Sequence, residues 1–105
     1  MVFINKLLKT GQVRIPIKAQ RILGFKEGQN LFIYHSQGKI FIVRKHDNYT
    51  LNQCIFRNGR ISIPAEIRRL LRISPDALLE MQVNHGKDKL IIKNVEQGFL
   101  KKVSI

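Results

Sequence analysis

The chain has 105 residues, the length of one domain, and its 44% apolar content is that of a compact globule. Nineteen Lys and Arg against seven Asp and Glu give a net charge of +12, a balance whose usual partner is a phosphate backbone. A lone Cys54 excludes an internal disulfide scaffold, no apolar run reaches the roughly 20 residues of a membrane span, and Met1 to Ile4 runs straight into Asn5 and Lys6, unlike a secretion signal; a cytoplasmic chain with no membrane partner is expected.

In chain order, Phe3 to Lys9 mixes apolar and polar residues and ends at Thr10-Gly11, and Val13-Arg-Ile15 alternates as a return strand. Pro16, with a fixed φ and no N–H, suits the start of a helix. Ala19, Ile22 and Leu23 then form an inward stripe, with Lys18, Gln20 and Arg21 outward and Gly24 as a left-handed cap. After the turn Lys26 to Gln29, strands Leu31 to His35 and Lys39 to Arg44 form a second hairpin through Ser36-Gln-Gly38. His46-Asp-Asn48 is a polar joint.

The order then repeats. Gly11-Gln-Val-Arg-Ile-Pro16 returns 48 residues later as Gly59-Arg-Ile-Ser-Ile-Pro64. Thr50 to Arg57 ends at Asn58-Gly59, a type I′ hairpin signal, and Ile61-Ser-Ile63 is the return strand. Ile67, Leu70 and Leu71 are the inward stripe of the second helix, beside Glu66, Arg68, Arg69 and Arg72. Arg72 takes the place of Gly24, so a left-handed cap there would cost about 1 kcal/mol and the two helix ends are expected to differ. Strands Leu78 to Val83 and Lys89 to Lys93 follow, joined by a turn two residues longer than its counterpart. Residues 96–105 have no counterpart, and Phe99, Leu100, Val103 and Ile105 could pack or support self-association. A unit of under 50 residues is too small to bury a full core, so repeats 1–48 and 49–95 are expected to complete each other as a fused pseudo-dimer, followed by a tail. The halves carry +7 and +5, which is not the pattern of a charged tail on a neutral domain.

These motifs resemble the swapped-hairpin domain of AbrB, SpoVT and MazE-type proteins, over residues 3 to 45 and 51 to 94, in two tandem copies as in MraZ-like proteins. The resemblance implies a mostly β fold with short helices, in which interleaved hairpins form one barrel that binds double-stranded DNA. It places the DNA contacts beside the hairpin glycine and on the paired helix arginines: Arg60, Arg68 and Arg69 in the second copy, Arg21 in the first, where Gln12 and Gln20 replace arginine. A basic position of the opening strand falls on Asn5 and Gln53.

The physical case adds neighbours. A β-ribbon or helix fits the roughly 12 Å major groove, and arginine can bind guanine edges or phosphate with two hydrogen bonds. Lys6, Lys9, Arg14 and Arg57 accordingly join the candidates. The plainer alternative makes Arg68, Arg69 and Arg72 a solvated helix face, and Lys39, Lys87, Lys89, Lys101 and Lys102 guards of strand edges. His35, His46 and His85 lack metal-ligand spacing, and no phosphate loop or nucleophile elbow appears, so neither cofactor, metal nor catalysis is expected. With no Trp, duplex binding outranks base stacking on single strands. The expected function is a nucleoid-associated transcription regulator; the alternatives are an architectural DNA-coating protein, a protein-binding adaptor, and a DNA-binding antitoxin, whose toxin-clasping segment the ten residues after the repeats make too short.

Overall fold

Branched and aromatic residues at alternate positions give each strand an apolar face, and burying those faces together sets the architecture. The computed structural model describes residues 2–47 and 51–95. Its elements are β1 (Val2–Lys6), β2 (Gln12–Arg14), α1 (Ile17–Leu23), β3 (Asn30–Ser36), β4 (Lys39–Val43), β5 (Asn52–Ile55), β6 (Arg60–Ser62), α2 (Ala65–Leu70), β7 (Leu78–Val83) and β8 (Lys89–Asn94). The fold is mostly β, with antiparallel pairing and two short helices. The expected tail with Phe99, Leu100, Lys101, Lys102, Val103 and Ile105, and the end of the joint at Asn48, lie outside the described residues.

Six strands form one sheet in the order β1-β7-β8-β4-β3-β5, and β2 pairs with β6 in a separate ribbon. Pairing crosses the chain's midpoint four times, between β1 and β7, β4 and β8, β3 and β5, and β2 and β6. The buried cluster accordingly draws on both halves, with Val13, Ile15, Leu31, Ile33, Ile40 and Ile42 packed in one core with Ile61, Ile63, Leu79, Met81, Leu90 and Ile92. The expected closed barrel does not form among the described residues. β1 and β5 are the ends of the sheet, because the chain after each of them turns off into the β2–β6 ribbon instead of continuing the ladder.

The two opening turns differ by one residue. In the second, Asn58 and Gly59 have φ of 53° and 71°, and Arg57 and Arg60 exchange both backbone hydrogen bonds at 3.1 and 2.9 Å, the expected two-residue type I′ turn. In the first, the Leu8 N–H reaches the Gln12 carbonyl at 2.8 Å around Lys9-Thr10-Gly11, a three-residue loop closed by Gly11 at φ 84°. The extra residue shifts the strand before it. Asn5 lies opposite Leu79 and Cys54 opposite Leu31, so the counterpart of Asn5 is Cys54 and not Gln53.

Pro16 and Pro64 sit at the N-caps of α1 and α2, with φ of −57° and −54°. Ala19, Leu23 and Ile67 are buried as expected, but Leu70 is 59% exposed. In a helix of six residues Ile67, with Leu71 four positions on, already covers the buried stripe, and Leu70 falls outside it. The helix ends agree more closely than expected. Gly24 has φ 70° and Arg72 has φ 55°, and the following residues donate alike, Phe25 to the Gln20 carbonyl at 3.0 Å and Ile73 to that of Arg68 at 2.8 Å. Arg72 therefore holds the left-handed geometry at a cost of about 1 kcal/mol.

Candidate nucleic-acid interface

The ribbon carries two of the candidate cations, Arg14 on β2 and Arg60 on β6. Val13 and Ile61 are opposite one another and buried, which turns Gln12, Arg14, Arg60 and Ser62 to the other face. Arg14 is the register partner of Arg60, so two guanidinium side chains from distant parts of the chain occupy directly opposed positions. Like charges so placed destabilise a sheet pair. The strand end is held by Asn5, whose Nδ2 donates to the Arg14 carbonyl at 2.7 Å, and the half-exposed Arg60 keeps a buried Nε with no hydrogen-bond partner.

Each helix reaches the turn that precedes the other helix's ribbon strand. Arg68 on α2 donates Nε to the Ile63 carbonyl at 3.0 Å, and a Cβ on Gly11 would meet its Cζ at 2.9 Å. Gln20 on α1 donates Nε2 to the Ile15 carbonyl at 2.7 Å, and a Cβ on Gly59 would meet that nitrogen at 3.2 Å. Backbone bonds run the same way, from the Ile63 N–H to the Gly11 carbonyl at 3.0 Å and from the Ile15 N–H to the Gly59 carbonyl at 2.8 Å. Glu27 adds a contact to the second turn, accepting the Asn58 N–H at 2.9 Å. Arg68 thus lies across the first turn at Gly11, two residues from Lys9 along that turn.

Of the other candidates, Lys9 and Arg57 are exposed at the two turns, and Arg21 and Arg69 are exposed in the last turns of α1 and α2. Lys6 is exposed but stands on β1, opposite Leu78 at the edge of the large sheet and not on the ribbon. Among the described residues none of these cations has an ion-pair partner; the pair that forms, Lys93 Nζ to Glu80 Oε2 at 3.0 Å, joins β8 to β7. Sequence reasoning passed over the structural work of Gln20 and Gly11. Its signal was available: Gln20 and Arg68 are 48 residues apart, as are Ile15 and Ile63, and both long side chains carry an N–H that can reach five residues back.

Other chemistry is sparse among the described residues, where no three His, Cys, Asp or Glu side chains gather as metal ligands. The periodicity left the face of Cys54 open; it is buried, and desolvation pushes its thiol up to about 11. No helix among the described residues is long and apolar enough to cross a membrane.

Comparison with known proteins gives two likenesses. The model of the family of antidote-toxin recognition MazE, bacterial antitoxin, matches residues 57–99. No curated protein matches the chain. The solution structure of PHS018 from Pyrococcus horikoshii is similar with a TM-score of 0.54, at 18% identity and covering 89% of each chain, a likeness of fold. The family match over residues 57–99 and the likeness of fold, together with the open antiparallel sheet, support an AbrB/MazE-like fold.

Proposed function

We propose that the chain is a double-stranded DNA-binding transcription regulator, built as a swapped-hairpin pseudo-dimer of repeats 1–48 and 49–95 followed by a tail, and acting by occupying DNA and not by catalysis. The observation that carries this reading is the cross-strand pair Arg14 and Arg60, like charges held opposite one another with no ion-pair partner among the described residues. A phosphate or a guanine edge would turn that repulsion into attraction. Lys9, Arg21, Arg57, Arg68 and Arg69 extend the surface, and Lys6 is its outlying member. A +12 chain of this kind belongs on the nucleoid in the cytoplasm.

Fluorescence anisotropy on genomic and random duplexes, with competitor DNA, tests it. Tight binding that resists competitor supports a regulator, competed binding supports the architectural alternative, and no binding at physiological salt refutes both. The antitoxin reading stands beside it because the family match spans residues 57–99. It requires a second small protein to copurify from the native cell, and removal of residues 96–105 to release that partner without loss of DNA binding.

A further inference from the structure

Arg72 is a residue that the fold alone does not explain. It occupies the left-handed position at φ 55° where the matching place near the other helix holds Gly24 at φ 70°. Its backbone is fixed on all sides: the Arg72 N–H donates to the Arg69 carbonyl at 3.2 Å, the next N–H to that of Arg68, and the Arg72 carbonyl accepts Asn94 Nδ2 at 3.3 Å. Backbone strain retained in so determined a place is typical of sites where the side chain has a task.

The task is indicated by its company. Arg68, Arg69 and Arg72 line one shallow groove of about 370 Å³ together with Ala65, Ile73 and Ser74. None of the three guanidinium groups is ion-paired among the described residues. Arg68 spends its Nε on the Ile63 carbonyl, which fixes the orientation of its remaining N–H groups, and Ser74 adds a hydroxyl. Three arginines and a hydroxyl around one small concavity match the oxygens of a phosphate diester.

We propose that this groove is a phosphodiester-binding site in which Arg72 is a third cationic ligand beside Arg68 and Arg69. The site deepens the DNA reading above and rests on it for the source of the phosphate. It is also one-sided, because the corresponding place in the first half carries glycine.

Arg72→Gly in the full chain separates ligand from scaffold, since glycine suits the left-handed geometry. The expected result is a thermal midpoint equal to or above that of the parent, a roughly 3- to 10-fold loss of duplex affinity, and a log affinity against log salt slope shallower by about 0.9, the value of one lost phosphate contact. If the parent binds duplex DNA and Arg72→Gly binds it with unchanged affinity and slope, the proposal is overturned. If the parent binds no duplex, the DNA reading fails by itself, and the groove is judged by titration with inorganic phosphate: saturable shifts of the Arg68 and Arg69 side-chain N–H signals, lost in Arg72→Gly, support it, and their absence overturns it.

Discussion

Arg68 lies across Gly11, its Nε on the Ile63 carbonyl at 3.0 Å and its guanidinium carbon 2.9 Å from where a Gly11 Cβ would be. Gln20 stands in the same relation to Gly59 through the Ile15 carbonyl at 2.7 Å. Two side chains of different charge thus do one mechanical task, which lets stability and DNA affinity be separated at position 68.

Arg68→Gln should keep the hydrogen bond and cost less than about 0.5 kcal/mol of stability, whereas Arg68→Ala leaves the carbonyl without its side-chain donor and should cost about 1 kcal/mol. Both should weaken duplex binding. Urea denaturation and anisotropy measured on the same preparations check the pair; equal stability losses would show that the hydrogen bond contributes nothing.

Gly11→Ala should destabilise by more than about 1 kcal/mol, from the left-handed φ of 84° and from the Cβ that would lie 2.9 Å from the Arg68 guanidinium. Part of that loss is steric and should vanish in the Arg68→Ala background. A double-mutant cycle with a coupling above about 0.5 kcal/mol is the expected outcome, and strict additivity would count against the contact.

Replacing Arg14 and Arg60 together by Gln should leave stability unchanged or slightly higher, because the opposed charges on the ribbon are removed. Duplex affinity should fall, and the salt slope should flatten by about 1.8, at roughly 0.9 per contact. Stopped-flow and equilibrium anisotropy across a salt series read both quantities. An unchanged slope would remove the ribbon from the interface.

The Cys54 thiol should react slowly with disulfide reagents in the native protein at neutral pH, and at the rate of a free thiol once urea unfolds the chain. Its folded value is raised to about 11 against 9.0 for an ordinary cysteine, so its contribution to stability is intact below pH 9.0 and declines as the pH rises from there towards about 11. Cys54→Ala should flatten the stability profile in that window. Rapid native labelling at pH 7 would contradict the burial.

An isolated 1–48 fragment should be unfolded at micromolar concentration, because each of β1 to β4 has a pairing partner beyond residue 51. Dispersed amide signals from a monomeric fragment would refute this.

The strands, both helix starts and the type I′ turn at Asn58-Gly59 were legible because branched alternation, proline and Asn-Gly each have a local cause. The extra residue of the first turn was not, since Lys9-Thr10-Gly11 and Asn58-Gly59 both end in glycine and only the ladder counts what lies between. Nor was Leu70, because a three-four spacing in so short a helix allows two choices of buried stripe. At the site, the exposed cations were readable from type and spacing. Their grouping was not: nothing local in the sequence says that the crossing of the chain carries Arg68 to Gly11 of the other half.

The strand order has a consequence for how the molecule is made. β1 leaves the ribosome first and waits for β7, whose residues Leu78–Val83 emerge last but for one strand. With so many pairings between distant segments, folding should be slow for a chain of this size and completed only once β7 and β8 have emerged. In the interval the unpaired edges of β1 and β4 present the same hydrogen-bonding template to any neighbouring chain as to their own. On a crowded polysome, exchange of halves between two nascent copies would satisfy every ladder equally well, and the length of the segment around residues 48–50 then decides which product is favoured.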